Sequence, residues 1–312
     1  VDSLSSCCRL RNGIEENIFS YTLGAGGIKT GSKGVITLNL NRIVQDWYDG
    51  KEITEVPLSY TINEIVNRVH KYLKAFNEII WDYKKGGLLT VYDAGYIDLD
   101  SQYLTIGING FVEGAEFLGI PIDAHNEKYQ QYAKDILETI KQSNIEARTE
   151  HCKFNTEFVP AEGLGVKNAK WDKRDGYVVP RDTYNSYFYI VEDHNIDPVE
   201  KFAFQGIKFT GCCDGGSALH NNLDEHLTAR QYRMLMDVAV KEGCNYFTYN
   251  IMNTICNECG YISKHTLDTC PKCGSKDVDY ATRIIGYLKR ISAFSAARQI
   301  EADNRAYNKL ND

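Results

Sequence analysis

The chain has 312 residues, of which 43% are hydrophobic and 12% aromatic, and its formal net charge at pH 7 is −7. The hydrophobic share is sufficient for a sizeable core and excludes global disorder, and the length fits two domains or one large α/β domain. The negative charge disfavours a sequence-independent nucleic-acid binder, because such proteins meet phosphate with clustered Lys and Arg. No membrane span or signal peptide is visible, so we expect a cytoplasmic protein that binds neither membranes nor nucleic acid.

Strand and helix patterns alternate through the first half of the chain, as they do in parallel α/β folds. After a loop-like opening rich in Ser, Gly and Cys, β-branched alternation predicts a strand over 35–40 and another over 103–109. Thr61 and Glu64 form a possible capping box for a helix that continues to Ile80 and ends near Gly86. A second helix is predicted over 129–140.

The alternation continues in the second half and then gives way to a cysteine-bearing insert. We predict strands over 186–191 and 246–251, and a helix that Thr228 and Gln231 open and Gly243 stops. From Cys256 the composition becomes polar, and a final helix rich in Ala and charge follows. These shifts predict three segments, 1–254 as an α/β unit, 255–276 as a polar cysteine-bearing insert and 277–312 as a loop and terminal helix.

The strongest motif is a pair of Cys-x-x-Cys knuckles, whose four cysteines are Cys256, Cys259, Cys270 and Cys273. Two such pairs place four thiolates around one tetrahedral zinc ion, and Gly260 and Gly274 permit the tight turn after each pair. Four sulfur ligands leave no open coordination position, so the metal is expected to be structural rather than catalytic. Two disulfides or unpaired thiols are the alternative interpretation, which a reducing compartment disfavours.

The segment 283–287, Arg-Ile-Ile-Gly-Tyr, follows this knuckle near the C-terminus. In that context it resembles the glycyl-radical loop of the anaerobic, class III ribonucleoside-triphosphate reductases, and the resemblance makes Gly286 the radical carrier. Glycine suits the role, because a planar α-carbon radical is delocalised over the adjoining amides and no Cβ opposes the flattening. A buried glycine bulge is the plainer interpretation of the glycine alone.

The resemblance extends over essentially the whole chain. Ser-Cys-Cys-Arg at 6–9 looks like the family's cysteine loop, so Cys8 aligns with the thiyl-radical cysteine, and Cys7, in place of the family's glycine, is an alternative thiol. Further matches lie at 34–40, 106–113, 162–167, 214–220 and 249–254. The substrate-binding residues that we predict from these matches are Asn109, Glu113, Asp214, Gly215, Gly216 and Ser217.

The 214–217 segment can also be interpreted without the resemblance. Its two glycines and its serine could expose backbone N–H groups and a hydroxyl that hold phosphate oxygens. A polar turn before a helix is an equally good interpretation. Cys212 and Cys213 are candidates for a reductant-linked pair, although adjacent cysteines are more often packing residues.

The resemblance implies a ten-stranded α/β barrel in which the two radical-bearing loops meet. It makes 1–254 the C-terminal half of this catalytic barrel, including the cysteine loop, 255–276 a zinc knuckle, and 277–312 the glycyl-radical loop and C-terminal helix. It implies anaerobic reduction of ribonucleoside triphosphates to deoxyribonucleotides for DNA replication, ATP binding, and a separate activase that carries S-adenosylmethionine and an iron-sulfur cluster. Relatives are about twice as long, so we expect a missing N-terminal half or second chain, and a homo-oligomer when complete. Two alternatives stay open: another glycyl-radical enzyme or spare subunit, and a catalytically silent zinc-binding scaffold.

Overall fold

The structure, a computed structural model, describes residues 31–158, 163–213, 215–244, 246–283 and 288–308. Its strands are β1 Gly31–Asn39, β2 Gln102–Asn109, β3 Lys153–Glu157, β4 Leu219–Leu223, β5 Phe247–Ile251, β6 Asn253–Cys256, β7 Ile262–Ser263, β8 Val278–Arg283 and β9 Leu288–Arg290. Its helices are α1 Leu40–Thr54, α2 Leu58–Lys85, α3 Thr90–Asp93, α4 Phe111–Phe117, α5 Glu127–Ala147, α6 Leu164–Arg174, α7 Pro198–Phe204, α8 Ile207–Thr210, α9 Ala229–Glu242 and α10 Ala296–Asn304. The predicted mixed α/β class is confirmed.

Five of these strands run parallel in sequence order. β1, β2 and β3 form one sheet and β4 pairs with β5 in a second. A single parallel bridge joins Glu157, at the end of β3, to Gly216 just before β4, so the second sheet continues from the edge of the first. The predicted ten-stranded barrel is not seen in the described residues, in which nine strands lie in three separate sheets.

The apolar core lies on one face of the three-stranded sheet. Leu104, Ile106 and Ile108 alternate along β2 and are fully buried, and Phe154 of β3 joins them. Helices α2 and α5 pack against one another over this face, as crossover helices do in parallel sheets. The sequence places the apolar residues of β2 at every second position because side chains alternate across a strand.

The ends of the helices are determined by local chemistry that the sequence reveals in most cases. The predicted capping box of α9 is present, with Thr228 and Gln231 bonded to one another's backbone, and Gly243 ends the helix in the left-handed region at φ 74°. The predicted capping box at Thr61 is wrong, because α2 already begins at Leu58, directly after Pro57. Pro57 is the extended residue directly before the helix, at φ −70° and ψ 155°, and this boundary precedes Thr61 in the chain.

The strand predicted over 186–191 is absent. The carbonyl groups of this stretch are bonded elsewhere: Tyr129 Oη donates to the Phe188 carbonyl at 2.6 Å, and the Ala306 amide donates to that of Val191 at 3.4 Å. Phe188 and Tyr189 are buried in the core. The apolar alternation therefore reports burial of an irregular segment and not a sheet ladder.

Candidate functional site

The third sheet is antiparallel, with strand order β7-β6-β8-β9, and carries the four cysteines. Their Sγ atoms all lie within 4.8 Å of one another, and the Cys256–Cys273 and Cys259–Cys270 sulfur pairs are each 3.6 Å apart. Sulfur atoms that share one tetrahedral zinc at about 2.3 Å would be separated by about 3.8 Å. The four side chains therefore fit a single metal ion, and these separations are far too long for disulfide bonds.

Two turns with the same hydrogen bonds build the cluster. Gly260 donates to the Cys256 carbonyl at 3.1 Å, and Gly274 donates to the Cys270 carbonyl at 2.9 Å. Both glycines are in the left-handed region, at φ 69° and 74°, which a residue with a Cβ rarely adopts. The predicted reason for glycine after each pair is thus confirmed.

The knuckle is tied directly to the strands that flank the predicted radical glycine. β8 follows the knuckle and pairs with both β6 and β9, and Asn257 of the knuckle accepts from Arg290 of β9 at 2.5 Å. The connection between β8 and β9 carries Gly286. That residue lies outside the described residues, as do Cys7 and Cys8, so the predicted meeting of glycine and cysteine stays a prediction.

The face of the parallel strands opposite the core is polar and buried. Thr105 of β2 lies between Leu104 and Ile106 in the chain and is directed away from them, and its partner Asn155 on β3 is only 1% exposed. In the second sheet Asn222 and Asn250 face one another, both are buried, and the Asn250 amide donates to Asn222 Oδ1 at 3.0 Å. Burying polar side chains on a sheet face lowers stability unless protein groups, water or a ligand form hydrogen bonds with them. This face is therefore the best candidate for a substrate chamber.

Part of the predicted substrate-binding segment borders this polar face. The Gly215 and Gly216 amides both donate to the Thr156 carbonyl, at 2.9 and 3.2 Å, and Ser217 Oγ donates to Gln205 at 3.2 Å. Asp214 lies outside the described residues. Binding of substrate by this segment stays a prediction, but the two glycine amides are already committed within the chain.

Asn109, at the end of β2, is fully buried. Its Nδ2 lies within 3.3 Å of the carbonyls of Tyr184 and Asn185 and the hydroxyl of Ser186, and its Oδ1 accepts from Asn168 at 2.8 Å. The side chain thus holds the irregular 184–186 segment against the sheet. Its predicted role in substrate binding remains a prediction.

Glu113, on α4, forms a buried ion pair. Its Oε1 is 2.7 Å from Arg181, which also contacts Glu116, and it accepts from the Asn185 amide at 3.1 Å. Burial raises the pKa of Glu113 to about 7, although the charge of Arg181 opposes this change. Glu113 Oε2 has no hydrogen-bond partner among the described residues, and the substrate contact predicted for this residue stays a prediction.

A second buried carboxylate, Asp172 on α6, was not predicted from the sequence. Its oxygens accept from Asn39 and Asn41, from Arg42 Nε at 2.8 Å and from Tyr184 Oη at 2.8 Å. The cluster ties the junction of β1 and α1 to α6. The Asn-Leu-Asn-Arg run at 39–42 was the available signal, since polar side chains at every second position where a strand passes into a helix are unusual in an apolar core.

The adjacent cysteines 212 and 213 differ in their surroundings. Cys213 is buried in the core, whereas Cys212 is partly exposed and lies 3.7 Å from Glu138. Burial, and then the nearby carboxylate, raise the pKa of Cys212. A thiol with a raised pKa is a poor nucleophile at neutral pH, which favours the packing interpretation of this pair.

Comparisons with known proteins agree with this fold. The sequence model of the family described as anaerobic ribonucleoside-triphosphate reductase matches residues 1–307. A solved anaerobic ribonucleotide reductase superposes with a TM-score of 0.79 at 30% identity, covering 91% of this chain and 46% of that one. The Thermotoga maritima enzyme with glycerol in its active site gives 0.76 at 30% identity, over 87% and 44%. Its complex with dATP and CTP gives 0.75 at 29% identity, over 89% and 45%.

No curated protein sequence matches the chain. The mixed α/β fold is similar to part of the solved anaerobic ribonucleotide reductases. The chain belongs to the anaerobic ribonucleoside-triphosphate reductase family, whose sequence model covers nearly all of it. It spans somewhat less than half the length of the solved relatives. Among the described residues, none of the helices is long and apolar enough to cross a membrane.

Proposed function

We propose that this chain is the C-terminal catalytic part of an enzyme that reduces ribonucleotides to 2′-deoxyribonucleotides by glycyl and thiyl radical chemistry. The observation that carries the proposal is the family match over residues 1–307, which includes the positions of Cys8 and Gly286. The product would supply DNA replication, and we expect the enzyme to act in the cytoplasm under anaerobic conditions.

The proposed reaction begins when an activase that uses S-adenosylmethionine and an iron-sulfur cluster removes a hydrogen atom from Gly286. The glycyl radical takes a hydrogen atom from Cys8, or from Cys7 as the alternative, and the resulting thiyl takes the 3′ hydrogen of the ribonucleotide. The 2′ hydroxyl then leaves as water. Two electrons are needed to complete the reduction, and in this family they come from formate or from a redoxin.

The five parallel strands support the proposal because they would form half of a ten-stranded barrel. Their polar buried face would line the interior, where substrate and radical loops meet. The chain's part in the chemistry is to hold reacting atoms about 3 to 3.5 Å apart and to exclude water and oxygen, which would quench the radical.

The four knuckle cysteines fit a zinc ion, and we propose that they hold one. A closed four-sulfur site supplies structural stability and no position for substrate. The knuckle residues would fix β6 and β8, and through them the chain that carries Gly286.

The proposed partners follow from the family and from the coverage. One solved relative is a complex with dATP and CTP. The CTP supports the proposal of a ribonucleoside triphosphate substrate, and the dATP supports the proposal that adenine nucleotides bind. Because this chain spans about 45% of that relative, we propose that an N-terminal half or a second chain completes the barrel. The complete enzyme is proposed to be a homo-oligomer that docks with its radical activase.

Anaerobic activation followed by electron paramagnetic resonance tests the radical assignment. We expect a doublet from the glycine α-hydrogen in the wild-type protein and none in Gly286→Ala, because an alanine opposes a planar radical centre. A doublet that persists in Gly286→Ala would exclude this glycine. Complete absence of a radical in the wild-type protein, with an activase shown to be functional on another substrate, would favour the silent zinc-binding scaffold.

A further inference from the structure

Asn155 occupies the centre of the polar face. It lies in the middle of β3, directly opposite Thr105 of β2, and only 1% of its surface is exposed. Its neighbour Phe154 is buried in the apolar core on the other side of the sheet. The amide of Asn155 is therefore turned away from the core, toward the proposed substrate chamber.

Hydroxyl groups on two neighbouring strands fix the orientation of this amide. Ser32 Oγ lies 2.8 Å from Thr105 Oγ1, which donates to Asn155 Oδ1 at 2.8 Å. Ser32 Oγ has a second acceptor, the Gly34 carbonyl at 3.2 Å. When its proton is directed to the nearer Thr105, the order from Ser32 to Thr105 to Asn155 satisfies the amide oxygen. The Nδ2 group, with two N–H donors, has no hydrogen-bond partner within the described part of the chain. A buried donor of this kind is unfavourable unless a ligand or an ordered water molecule accepts from it.

The position of the amide links it to the 215–217 segment. A Cβ added to Gly215 would lie 3.3 Å from Asn155 Cγ and would collide with the Thr156 carbonyl, so only glycine allows the segment to pass this close. The Gly215 and Gly216 amides already donate to Thr156. Among the described residues, Asn155 Nδ2 is thus an uncommitted donor beside the segment for which the sequence predicted phosphate contacts.

We propose that Asn155 is a substrate-binding residue, which donates from Nδ2 to an oxygen atom of the nucleotide, either a ribose hydroxyl or a phosphate oxygen. The proposal rests on the proposed function. Thr105 is then a positioning residue, because it acts on the substrate only through the amide that it orients.

The test is calorimetric titration of CTP into the whole reductase that contains this chain, without activation. Asn155→Asp keeps the acceptor for Thr105 but replaces the two donors with an anionic oxygen, and we expect CTP binding to weaken about 10- to 100-fold. Asn67→Asp makes the same charge change on the exposed surface of α2 and should leave the affinity unchanged. Thr105→Val keeps both donors but releases the amide, and a smaller loss is expected. It also serves as the second variant if Asn155→Asp does not fold.

Titration with cytidine and with 2′-deoxy-CTP separates the two oxygen sources. If Asn155→Asp weakens the binding of cytidine but not of 2′-deoxy-CTP, the contact is with the 2′ hydroxyl. If it weakens the binding of CTP and of 2′-deoxy-CTP but not of cytidine, the contact is with a phosphate. A folded Asn155→Asp variant with wild-type affinity for CTP would overturn this inference and leave the proposed function intact. A wild-type enzyme that binds no nucleotide would overturn both.

Discussion

Asp172 illustrates how a single buried polar side chain can determine where secondary structures meet. It is fully buried, and its oxygens accept from Arg42 at the start of α1 and from the Tyr184 hydroxyl, in addition to two asparagine amides. Asp175, one turn further, contacts the same Arg42 at 2.7 Å but is part-exposed. The two carboxylates share a partner and differ in burial.

This difference predicts unequal effects of removal. Asp172→Ala leaves several buried donors without an acceptor and should lower the free energy of unfolding by about 3 kcal/mol. Asp175→Ala removes an ion pair at the surface, where solvent competes for the charges. It should lower the free energy of unfolding by only a small fraction of the decrease expected for Asp172→Ala. Urea denaturation of both variants measures the difference, and equal destabilisation would contradict the importance assigned to burial.

At the scale of elements, a glycine inside one helix and a glycine that ends another have opposite effects on stability. Gly50 lies within α1, where an added Cβ would have no atom within 4 Å. Gly243 terminates α9 at φ 74°, and an added Cβ would lie 3.1 Å from Ile207 Cβ. Glycine inside a helix is unfavourable, whereas glycine in the left-handed region at a helix end is favourable.

Alanine substitution should therefore change stability in opposite directions. Gly50→Ala is expected to raise the free energy of unfolding by about 0.5 to 1 kcal/mol, because the unfolded chain loses conformational freedom. Gly243→Ala is expected to lower it by about 1 kcal/mol, from backbone strain and the contact with Ile207. Thermal melting of the two variants side by side checks the signs, and a shift of both in the same direction would refute the argument.

The knuckle is the element whose stability should depend on a metal. We expect about one zinc per chain and loss of that zinc in Cys259→Ser, because three sulfurs no longer close a structural site. Hydrogen exchange should then show loss of protection in β6 and β8, with β1 to β3 unaffected. Cys212→Ser removes a thiol outside the knuckle and should retain the metal. Substoichiometric zinc in a wild-type protein with intact exchange protection would count against a structural site.

At the scale of the whole molecule, α2 exposes an apolar stripe. Tyr72, Phe76, Ile79 and Tyr83 are all exposed and recur at spacings of four, three and four residues, so they share one side of the helix. Phe76 packs beside Gly34 of β1, which has a single strand neighbour within the described residues. An open strand edge next to an exposed apolar stripe is a surface that another chain segment ordinarily covers.

We expect the isolated chain to self-associate through this surface and to lack reductase activity. If the proposed N-terminal half exists, its co-expression should restore that activity. Ile79→Lys should weaken both self-association and this assembly, because it places a charge in the contact. Val240→Lys, at an 80% exposed position on α9, is the matched control and should have little effect. Analytical ultracentrifugation measures self-association and assembly, and a reductase assay measures activity. An isolated wild-type chain that is monomeric and fully active would show the prediction to be wrong.

The sequence by itself determined the features whose physics is local. The four knuckle cysteines, the left-handed Gly260 and Gly274, and the capped helix from Thr228 to Gly243 each depend on residues close together in the chain, so their spacing was sufficient. The family resemblance, carried by short motifs in a fixed order, likewise needed no coordinates, and the family match confirms it.

Only the tertiary structure decided the features that depend on distant partners. The 186–191 segment has the pattern of a strand, yet Tyr129 bonds one of its carbonyls and no ladder forms. The orientation of Asn155 depends on Ser32 and Thr105, which are far away in sequence and adjacent only across parallel strands. A hydrophobic pattern records that a side chain is buried. The group that a buried side chain contacts is determined by the packing of the whole chain. Burial requires only an apolar surrounding, whereas a hydrogen bond requires one particular partner at one particular distance.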